Sequence, residues 1–387
     1  MGLKPPIYLD HHATTPVDPR VVEVMLPFFA EDFGNASSST HVYGWRAEAA
    51  VGLARERIAD AIGASDPSEI VFTSGTTESD NLAVIGFARA NRRRGNHIVT
   101  VATEHPAVLD ACRQLEVEGF EVTVLPVDAS GRVDCDQVAG ALTERTLLVS
   151  VMAANSEIGV LQRLDAVGEV CRERGVVLHT DAAQAVGKIP VNVDALGVDL
   201  LSLCAHKLYG PKGVGALYVR KRRPRLRLEP LIHGGGHEGG LRSGTLPVAT
   251  IVGFGAAVEL AVAELSEEAA RVGALRDRLW ERLSKALEDV VRNGHTEFCL
   301  PGNLNVSFAG IEADGLIAKL HGLAVSSGSA CSSARGEPSH VLRAIGLSDA
   351  MARAALRFGL GRSTTAEEID CAADAVIEQV RLARAAR

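Results

Sequence analysis

Between residues 69 and 219 the chain alternates short apolar runs with longer amphipathic segments, and this alternation limits its possible folds more than any other feature. Runs of about four to eight residues rich in Val, Ile and Leu are typical of buried strands, whereas the segments between them repeat apolar residues at helical spacing. Such alternation predicts βαβ units, and therefore a largely parallel sheet with helices on both faces. The predicted strands are residues 69–72, 97–101, 121–125, 146–152, 176–179, 198–203 and 214–219, and the predicted helices include 81–93, 107–118 and 164–174.

The pattern changes after residue 253. A long helical region at 251–291 is followed by mixed elements, and Thr365-Ala366-Glu367-Glu368 is a capping box that opens a last helix. We therefore expect a large α/β domain at residues 16–256 and a smaller α+β domain made of residues 1–15 and 257–387. The other predicted elements of this part are a strand at 305–308, a helix at 313–320 and a strand at 323–326.

Charge and cysteine content exclude several classes of protein. The 387 residues carry a formal net charge of −8, so we expect neither direct nucleic-acid binding nor binding to an anionic membrane. The seven cysteines are scattered, without a CxxC pair or another metal-ligand spacing, so we expect no metal site and a reducing compartment. Residues 1–10 lack a signal-peptide pattern and the chain has no apolar run of membrane-spanning length, so we expect a cytoplasmic protein.

The polar loops that follow the predicted strands are where chemistry is expected, because ligands of parallel α/β sheets bind beyond the carboxyl ends of the strands. The loop Ser74-Gly75-Thr76-Thr77 runs directly into a helix, where free N–H groups, the helix dipole and hydroxyls favour a phosphate. A plain Ser/Thr helix cap is the alternative. His105 follows the next strand and is suited to stack on a planar ring and to move protons, unless its role is structural.

Two further strand ends supply a carboxylate and an amine. Asp181 follows an apolar run, and a buried carboxylate needs a cationic or N–H partner, such as the pyridinium nitrogen of pyridoxal phosphate. Gln184 would then hydrogen-bond the ring hydroxyl. Lys207 follows another apolar run, where desolvation would lower its pKa and let the neutral amine form a Schiff base; a surface lysine in a β-hairpin turn is the alternative. Together with the phosphate loop and His105, these residues specify a site for pyridoxal 5'-phosphate.

The second part of the chain offers a nucleophile and a carboxylate-binding residue. Cys331 lies in a loop of small residues at 326–340, so we expect an exposed thiolate that can reach a substrate. Arg357 lies on an apolar stretch and suits a bidentate grip on a carboxylate. The loop at 34–41, which contains Asn35, is dense in donors and either faces a ligand or is simply solvated.

Nearly the whole chain resembles the cysteine desulfurases, which are fold-type-I pyridoxal-phosphate enzymes, and within them the housekeeping group with the longer active-site loop. The resemblance implies an α/β fold-type-I transferase whose large domain holds a mostly parallel seven-stranded sheet, next to a smaller α+β domain that carries the cysteine loop. The motifs that carry this resemblance are residues 8–10, 13–16, 74–81, 103–105, 181–184, 205–207, 242–246 and 326–342.

The resemblance also implies a role for each matching residue. Lys207 would be the Schiff-base lysine, His105 would stack on the ring and shuttle protons, and Cys331 would accept the sulfur. The reaction would convert L-cysteine to L-alanine and leave a persulfide for a sulfur-acceptor protein, for iron–sulfur cluster assembly or another thio-modification pathway. The other implied contacts are Asp181 on the pyridine nitrogen; Gln184 and Ser156 near the ring oxygen; Gly75, Thr76, Thr77, Cys204 and His206 on the phosphate, with Thr245 arriving from the other subunit of a homodimer; and Asn35, Arg357 and Ser156 on the substrate carboxylate.

Three positions depart from the family pattern. Cys204 stands where serine is usual, which replaces a hydroxyl donor by a weaker one and costs on the order of 1 kcal/mol. Ser156 stands where the second Asn of Asn-Asn-Glu-Ile-Gly is usual, which could slow turnover or shift substrate choice. Gly239 stands where a basic residue is common, and the sequence gives no effect for this change.

Two rival functions share these motifs. A selenocysteine lyase or another pyridoxal-phosphate β-lyase would use the same cofactor but depend little on Cys331. A degenerate, non-enzymatic relative would act as a docking or persulfide-relay protein, and Ser156 and Cys204 are the residues that motivate this reading.

Overall fold

The computed structural model describes residues 6–327 and 337–386. Its strands are β1 (Ile7–Tyr8), β2 (Ile70–Thr73), β3 (His97–Val101), β4 (Glu121–Leu125), β5 (Thr146–Ser150), β6 (Val177–Asp181), β7 (Leu200–Cys204), β8 (Gly215–Val219), β9 (Val290–Asn293), β10 (Asn303–Phe308), β11 (Leu323–Ala324) and β12 (Ala355–Gly359). Its helices are α1 (Pro19–Met25), α2 (Pro27–Ala30), α3 (Val42–Ile62), α4 (Thr76–Asn81), α5 (Phe87–Asn91), α6 (Pro106–Val117), α7 (Cys135–Ala141), α8 (Leu164–Arg174), α9 (Val248–Ala263), α10 (Leu265–Ala286), α11 (Ala313–Ile317), α12 (His340–Ala344), α13 (Asp349–Arg353) and α14 (Ala366–Ala385).

The central sheet has seven strands in the order β2-β8-β7-β6-β5-β3-β4, which confirms the predicted mostly parallel seven-stranded sheet. The pairs from β7 through β4 are parallel, whereas β8 pairs antiparallel with both β7 and β2. The direction changes at β8 because only about ten residues link it to β7, too few for a crossover helix.

Both faces of the central sheet are covered by helices. Successive residues of β3 point to opposite faces, so Ile98 packs with residues of α6 whereas Val99 packs with residues of α3 and α9. On α3 the buried side chains recur every three or four residues, which is the apolar stripe of an amphipathic helix. This helix ends at Gly63, whose φ of +68° is a left-handed cap that favours glycine.

A second core surrounds the antiparallel sheet β12-β10-β9. Helices α10 and α14 supply leucines, valines and alanines to it, and Ile7 and Leu9 of the N-terminal arm are buried in the same cluster. The arm also forms the short parallel pair of β1 with β11. The domain limits at residues 15/16 and 256/257 stay a prediction.

The helical region predicted at 251–291 is wrong in detail. Helix α9 ends at Ala263, α10 begins at Leu265 at an angle of 72°, and the chain has entered β9 by Val290. Glu264 lies at the break, and Arg20 binds its carboxylate with an N–O distance of 2.6 Å.

Among the described residues, no single helix is long and apolar enough to cross a membrane, although the bent pair α9 and α10 together has the length and composition for it.

The strand directions of the central sheet determine where a site is expected. Strands β2, β3, β5, β6 and β7 run in the same direction, so the loops after them converge at one edge of the central sheet.

Candidate active site

A pocket of about 580 Å³ opens at the carboxyl edge of the central sheet. Its lining comes from three parts of the chain: the loops after the strands of the central sheet, strand β12 of the smaller sheet, and the N-terminal arm. Eleven of the fourteen site residues predicted from the sequence line it: Gly75, Thr76, Thr77, His105, Ser156, Asp181, Gln184, Cys204, His206, Lys207 and Arg357.

Lys207 lies in a 3₁₀ turn, Ala205–Lys207, directly beyond the end of β7. Its Nζ donates hydrogen bonds to the main-chain oxygens of His12, at 2.6 Å, and Ala13, at 2.7 Å. Among the described residues no carboxylate forms an ion pair with this amine, and burial lowers the pKa of Lys207. The side chain is therefore an amine that can give up its proton and act as a nucleophile or a base.

The loop after β2 forms an anion-binding cradle. Gly75 precedes the first residue of α4, and a Cβ at Gly75 would meet no atom within 4 Å, so open space lies before this helix N-terminus. The Oγ1 of Thr76 is buried and has no hydrogen-bond partner among the described residues. Helix α4 continues through a π-helical turn into α5, so the N–H groups belong to one run from Thr76 to Asn91. Free N–H groups, a helix dipole and an unpaired hydroxyl are what a phosphate requires.

Asp181 ends β6 and His105 follows β3, with β5 between these strands, and the two side chains act on each other electrostatically. His105 caps α6, and its Nδ1 accepts the N–H of Ala107 at 3.1 Å, so in the neutral ring the proton is on Nε2. Burial lowers the pKa of His105. Burial raises the pKa of Asp181, while His105, the N–H of Ala183 and Lys207 lower it. An ionised Asp181 therefore needs a further cation in the pocket.

Gln184 is fixed at both ends of its amide. Its Nε2 donates to the carbonyl oxygen of His12 at 2.9 Å, and its Oε1 accepts from Nζ of Lys188 at 2.6 Å. The second N–H of this Nε2 remains available for a group in the pocket.

Arg357 reaches the pocket from the middle of β12 and is only 3% exposed. One Nη donates to Oδ1 of Asp10 at 2.6 Å and the other to the carbonyl oxygen of Ser156 at 3.0 Å. The Nε is buried without a partner among the described residues. The guanidinium is thus held in position with donor capacity left for a carboxylate.

Cys204 and His206 complete the cradle. Cys204 is 1% exposed, burial raises the pKa of its thiol, and it lines the same pocket as Thr76. His206 pairs with Oγ1 of Thr14 through Nδ1 at 3.2 Å, and burial lowers its pKa to about 4. Both side chains are therefore uncharged near neutral pH, so hydrogen bonds rather than a net charge are what they offer to an anion.

Several pocket residues were missed from the sequence. His12 is 1% exposed, lines the pocket, and has neither ring nitrogen paired among the described residues. Asp80 and Glu104, which do not line the pocket, are buried acids; burial is the largest cause of the raised pKa of each, and Asp181 raises both further. The Nε2 of His179 lies 3.6 Å from Asp80, and its nitrogens pair with Ser150 and Ser202. His179 ends the apolar run at 176–179, and a polar residue in such a run was its signal, whereas His12 and Asp80 lie in polar segments and carry no such signal.

The three remaining predicted residues do not line the pocket in the described part of the chain. Asn35 is exposed and its Oδ1 accepts the N–H of Ser37 at 2.9 Å. Thr245 is also exposed. Cys331 lies outside the described residues, and so do most of the residues of its loop. The roles predicted for these three residues stay predictions.

Gly239 lies outside the pocket. Its φ of +64° is in the left-handed region, and a Cβ there would meet no atom within 4 Å. A glycine therefore suits this position better than the basic residue that is common in the family.

Comparisons with known proteins agree with this geometry. Residues 7–371 match the model of the class-V aminotransferase family. The chain is 58% identical over 372 residues to the cysteine desulfurase IscS of Aeromonas hydrophila, which covers 96% of this chain and 91% of that protein. A solved structure of a NifS-like protein superimposes with a TM-score of 0.90 at 39% identity, covering 97% of this chain and 99% of that one. A structure described as SspA in complex with cysteine gives a TM-score of 0.82 at 40% identity, covering 92% and 99%.

Proposed function

The chain belongs to the class-V aminotransferase family, and on that premise we propose that it is a cysteine desulfurase that uses pyridoxal 5'-phosphate. It converts L-cysteine to L-alanine and keeps the sulfur as a persulfide on one of its own cysteines. The observation that supports this most directly is the convergence of the Lys207 amine, the Asp181 carboxylate and the helix N-terminus at Gly75 in one pocket.

The pocket residues fit the cofactor. The unpaired Thr76 hydroxyl and the open space at Gly75 suit its phosphate, and the buried Asp181 lacks the cation that a pyridinium nitrogen provides. His206, Cys204 and Thr77 complete the phosphate contacts, and the free N–H of Gln184 and the side chain of Ser156 are available to the ring oxygen. When bound, pyridoxal phosphate supplies an aldehyde that binds amines and a ring that withdraws electrons from the carbon next to the amine.

The protein's own residues bind the substrate and move its protons. Arg357, which is oriented by Asp10 and by the carbonyl of Ser156, binds the substrate carboxylate, and Asn35 is the second residue proposed for this contact. Lys207 accepts the proton from the substrate Cα, because its lowered pKa makes the neutral amine available. The carbonyls of His12 and Ala13 then hold the resulting ammonium. His105 would stack on the ring of the bound cofactor, and the proton on its Nε2 is the one that it would exchange with the substrate.

Cys331 receives the sulfur. Its thiolate attacks the substrate sulfur, the carbon–sulfur bond breaks with its electron pair left on carbon, and that carbon takes up a proton to give L-alanine. The persulfide on Cys331 then passes to an acceptor protein for iron–sulfur cluster assembly or another thio-modification pathway. A reducing cytoplasm suits this chemistry, because a thiolate is needed at the start of each cycle.

The enzyme is proposed to act as a homodimer. Thr245 is exposed and does not line the pocket of its own chain in the described residues, so it is free to contact the phosphate bound by a second copy. The family resemblance of residues 242–246 supports this arrangement.

The first experiment measures alanine release from L-cysteine under reductant for the wild type, Lys207→Ala and Cys331→Ser. We expect both variants to lose activity, while the control Cys371→Ser, at an exposed cysteine on α14, keeps it. Full activity of Cys331→Ser would overturn the persulfide mechanism in favour of a β-lyase, and a comparison of L-cysteine with L-selenocysteine then identifies the substrate. A wild type that binds cofactor but releases no alanine would favour the non-enzymatic docking protein.

A further inference from the structure

A chain of hydrogen bonds joins two lysines across the wall of the active site. Nζ of Lys188 donates to Oε1 of Gln184 at 2.6 Å, and Nε2 of Gln184 donates to the carbonyl oxygen of His12 at 2.9 Å. The same carbonyl oxygen accepts from Nζ of Lys207 at 2.6 Å. The His12 oxygen, with two lone pairs, thus serves Gln184 and Lys207 together.

Lys188 lies on the far side of this wall, in a separate small cavity of about 30 Å³. The titratable groups that line this cavity with it are His11, His12, Tyr209 and Glu268. No carboxylate of the described residues forms an ion pair with Lys188. Burial, the nearby charge of Lys207 and, more weakly, Arg357 lower the pKa of Lys188 to about 7, against the opposing effects of Cys204 and Glu268.

The donor and acceptor pattern gives Lys188 a defined effect on Gln184. A lysine ammonium can only donate, so Gln184 must turn its oxygen to Lys188 and its NH₂ to His12 and the pocket. Removal of the Lys188 amine leaves a buried amide oxygen unpaired and releases one of the two contacts that fix the amide plane. The free N–H of Gln184 would then no longer be directed at the pocket.

We propose that Lys188 is a positioning residue of the active site, which orients Gln184 toward the bound cofactor and, through the carbonyl oxygen of His12, is coupled to the charge of Lys207. This inference rests on the proposed function for its cofactor part, because Gln184 is the residue assigned to the ring oxygen. The part that concerns Lys207 depends only on the protein. Two positive charges in one buried hydrogen-bond chain repel each other, so protonation of one lysine lowers the pKa of the other.

The first test uses the apoprotein and does not depend on the cofactor. Lys188 has a lower pKa in the folded than in the unfolded chain, so its burial destabilises the fold increasingly as the pH falls from about 10 to about 7 and by a constant amount below that. We therefore expect the Tm of the Lys188→Met apoprotein, relative to that of the wild type, to be highest near pH 7 and to fall as the pH rises to about 10, where only the loss of the hydrogen bond to Gln184 remains. A difference in Tm that does not change with pH, or no difference, would overturn the coupling.

The second test measures the bound cofactor. We expect Lys188→Met to raise the dissociation constant of pyridoxal phosphate about tenfold and to shift the pH midpoint of the absorbance change of the cofactor linked to Lys207 by about one unit. Lys188→Arg keeps a donor with a permanent charge, so it should restore affinity without restoring the pH midpoint. The control is Lys285→Met on α10, whose lysine is 74% exposed and paired with Glu281, and which should match the wild type.

The outcomes separate this inference from the proposed function. Unchanged affinity together with an unchanged pH midpoint in Lys188→Met would overturn the positioning role. A wild type that binds no pyridoxal phosphate would refute the proposed function instead, and the pH dependence of the apoprotein Tm would still show whether the pKa of Lys188 is lowered, which the coupling to Lys207 requires.

Discussion

At Cys204 a sulfur atom replaces the hydroxyl oxygen that is usual at this position, and we expect this change to weaken the binding of the cofactor phosphate. Its thiol is fully buried in the pocket wall beside Thr76, at a position where related enzymes usually have serine. A hydroxyl is a stronger donor than a thiol, and one hydrogen bond to a phosphate is worth about 1 kcal/mol or somewhat more. We therefore expect Cys204→Ser to bind pyridoxal phosphate about fivefold more tightly, measured by fluorescence titration of the apoprotein.

A matched control distinguishes this effect from a general effect of replacing a buried thiol. Cys112 on α6 is 2% exposed and does not line the pocket. Cys112→Ser should lower the free energy of unfolding by about 1–2 kcal/mol, because it buries an unpaired hydroxyl, and leave cofactor affinity unchanged. An unchanged affinity in Cys204→Ser would show that this position does not contact the phosphate.

Glu157 is a second residue whose effect can be predicted, here as a function of pH. Its side chain is 1% exposed, Oε2 accepts from Ser339 at 2.8 Å, and Oε1 has no partner among the described residues. Burial raises its pKa to about 7. Because the folded pKa exceeds the unfolded value of about 4.3, ionisation of Glu157 destabilises the fold increasingly from pH 4 to pH 7 and by a constant amount above that.

Glu157→Gln removes this penalty and keeps an oxygen for Ser339. The variant should be more stable than the wild type by about 2–3 kcal/mol at pH 8, and the difference should disappear near pH 4.5. Urea unfolding of the wild type and the variant at several pH values measures the stability difference at pH 8 and its loss near pH 4.5. A stability difference that is equal at pH 4.5 and pH 8 would show that Glu157 does not titrate in this range.

At the scale of elements, local patterns predicted most of the central sheet. Strands β3 and β4 have the predicted ends, because apolar β-branched runs bounded by polar loops leave little freedom in their position. The break at Glu264 and the strand β9 were not predicted. They depend on tertiary partners, namely Arg20 at the break and β10 beside β9, which a local pattern does not contain.

The same distinction separates the site residues that were predicted from those that were missed. His105, Asp181 and Lys207 directly follow predicted strands, so the rule for parallel sheets located them. His12 and Lys188 lie on an arm and in a turn, and only the folded chain brings them to the wall of the pocket. The reversal of β8 was readable from the sequence, because the ten residues between the predicted strands 198–203 and 214–219 are too few for a crossover helix.

Helix α12 begins at the end of the loop at 326–340, and its cap contacts Glu157, the residue next to Ser156 of the pocket. Oγ of Ser339 accepts the N–H groups of Val341 and Leu342, at 3.1 and 3.2 Å, and donates to Glu157. Ser339→Ala removes the cap and leaves the Glu157 carboxyl unpaired, so it should cost about 2–3 kcal/mol of unfolding free energy. Since α12 anchors the loop that contains Cys331, we also expect slower persulfide formation in a single turnover.

Ser348→Ala is the matched control for this helix cap. Ser348 caps α13, and its Oγ accepts the N–H of Met351 at 3.3 Å without contacting the pocket. Its loss should cost about 1 kcal/mol at most and leave persulfide formation at the wild-type rate. Equal rates in Ser339→Ala and Ser348→Ala would show that the cap of α12 does not affect sulfur transfer.

At the scale of the whole molecule, exposed apolar residues are consistent with the proposed contact with a second copy. Leu26, Phe29, Phe33 and Trp45 lie close together in the sequence around α1 to α3, and each is more than half exposed. Apolar side chains concentrated in this way are typical of an interface. Thr245 is exposed as well, although Arg242 of the same loop binds Glu78 beside the phosphate cradle at 3.0 Å. These features are the ones expected if Thr245 acts on the partner's site.

Mixed dimers test this arrangement. A chain carrying Thr245→Val and a chain carrying Lys207→Ala, each with a different tag, are co-expressed and purified through both tags. In such a dimer only the Thr245→Val chain retains Lys207, so alanine release reports on that chain's site. If Thr245 acts across the interface, the Lys207→Ala chain supplies an intact Thr245, and the cofactor concentration for half-maximal activity should equal that of the wild type.

If Thr245 acts within its own chain, this concentration should be about fivefold higher, as in the Thr245→Val homodimer, because one phosphate hydrogen bond is missing. Failure of the two chains to purify together would contradict the homodimer itself.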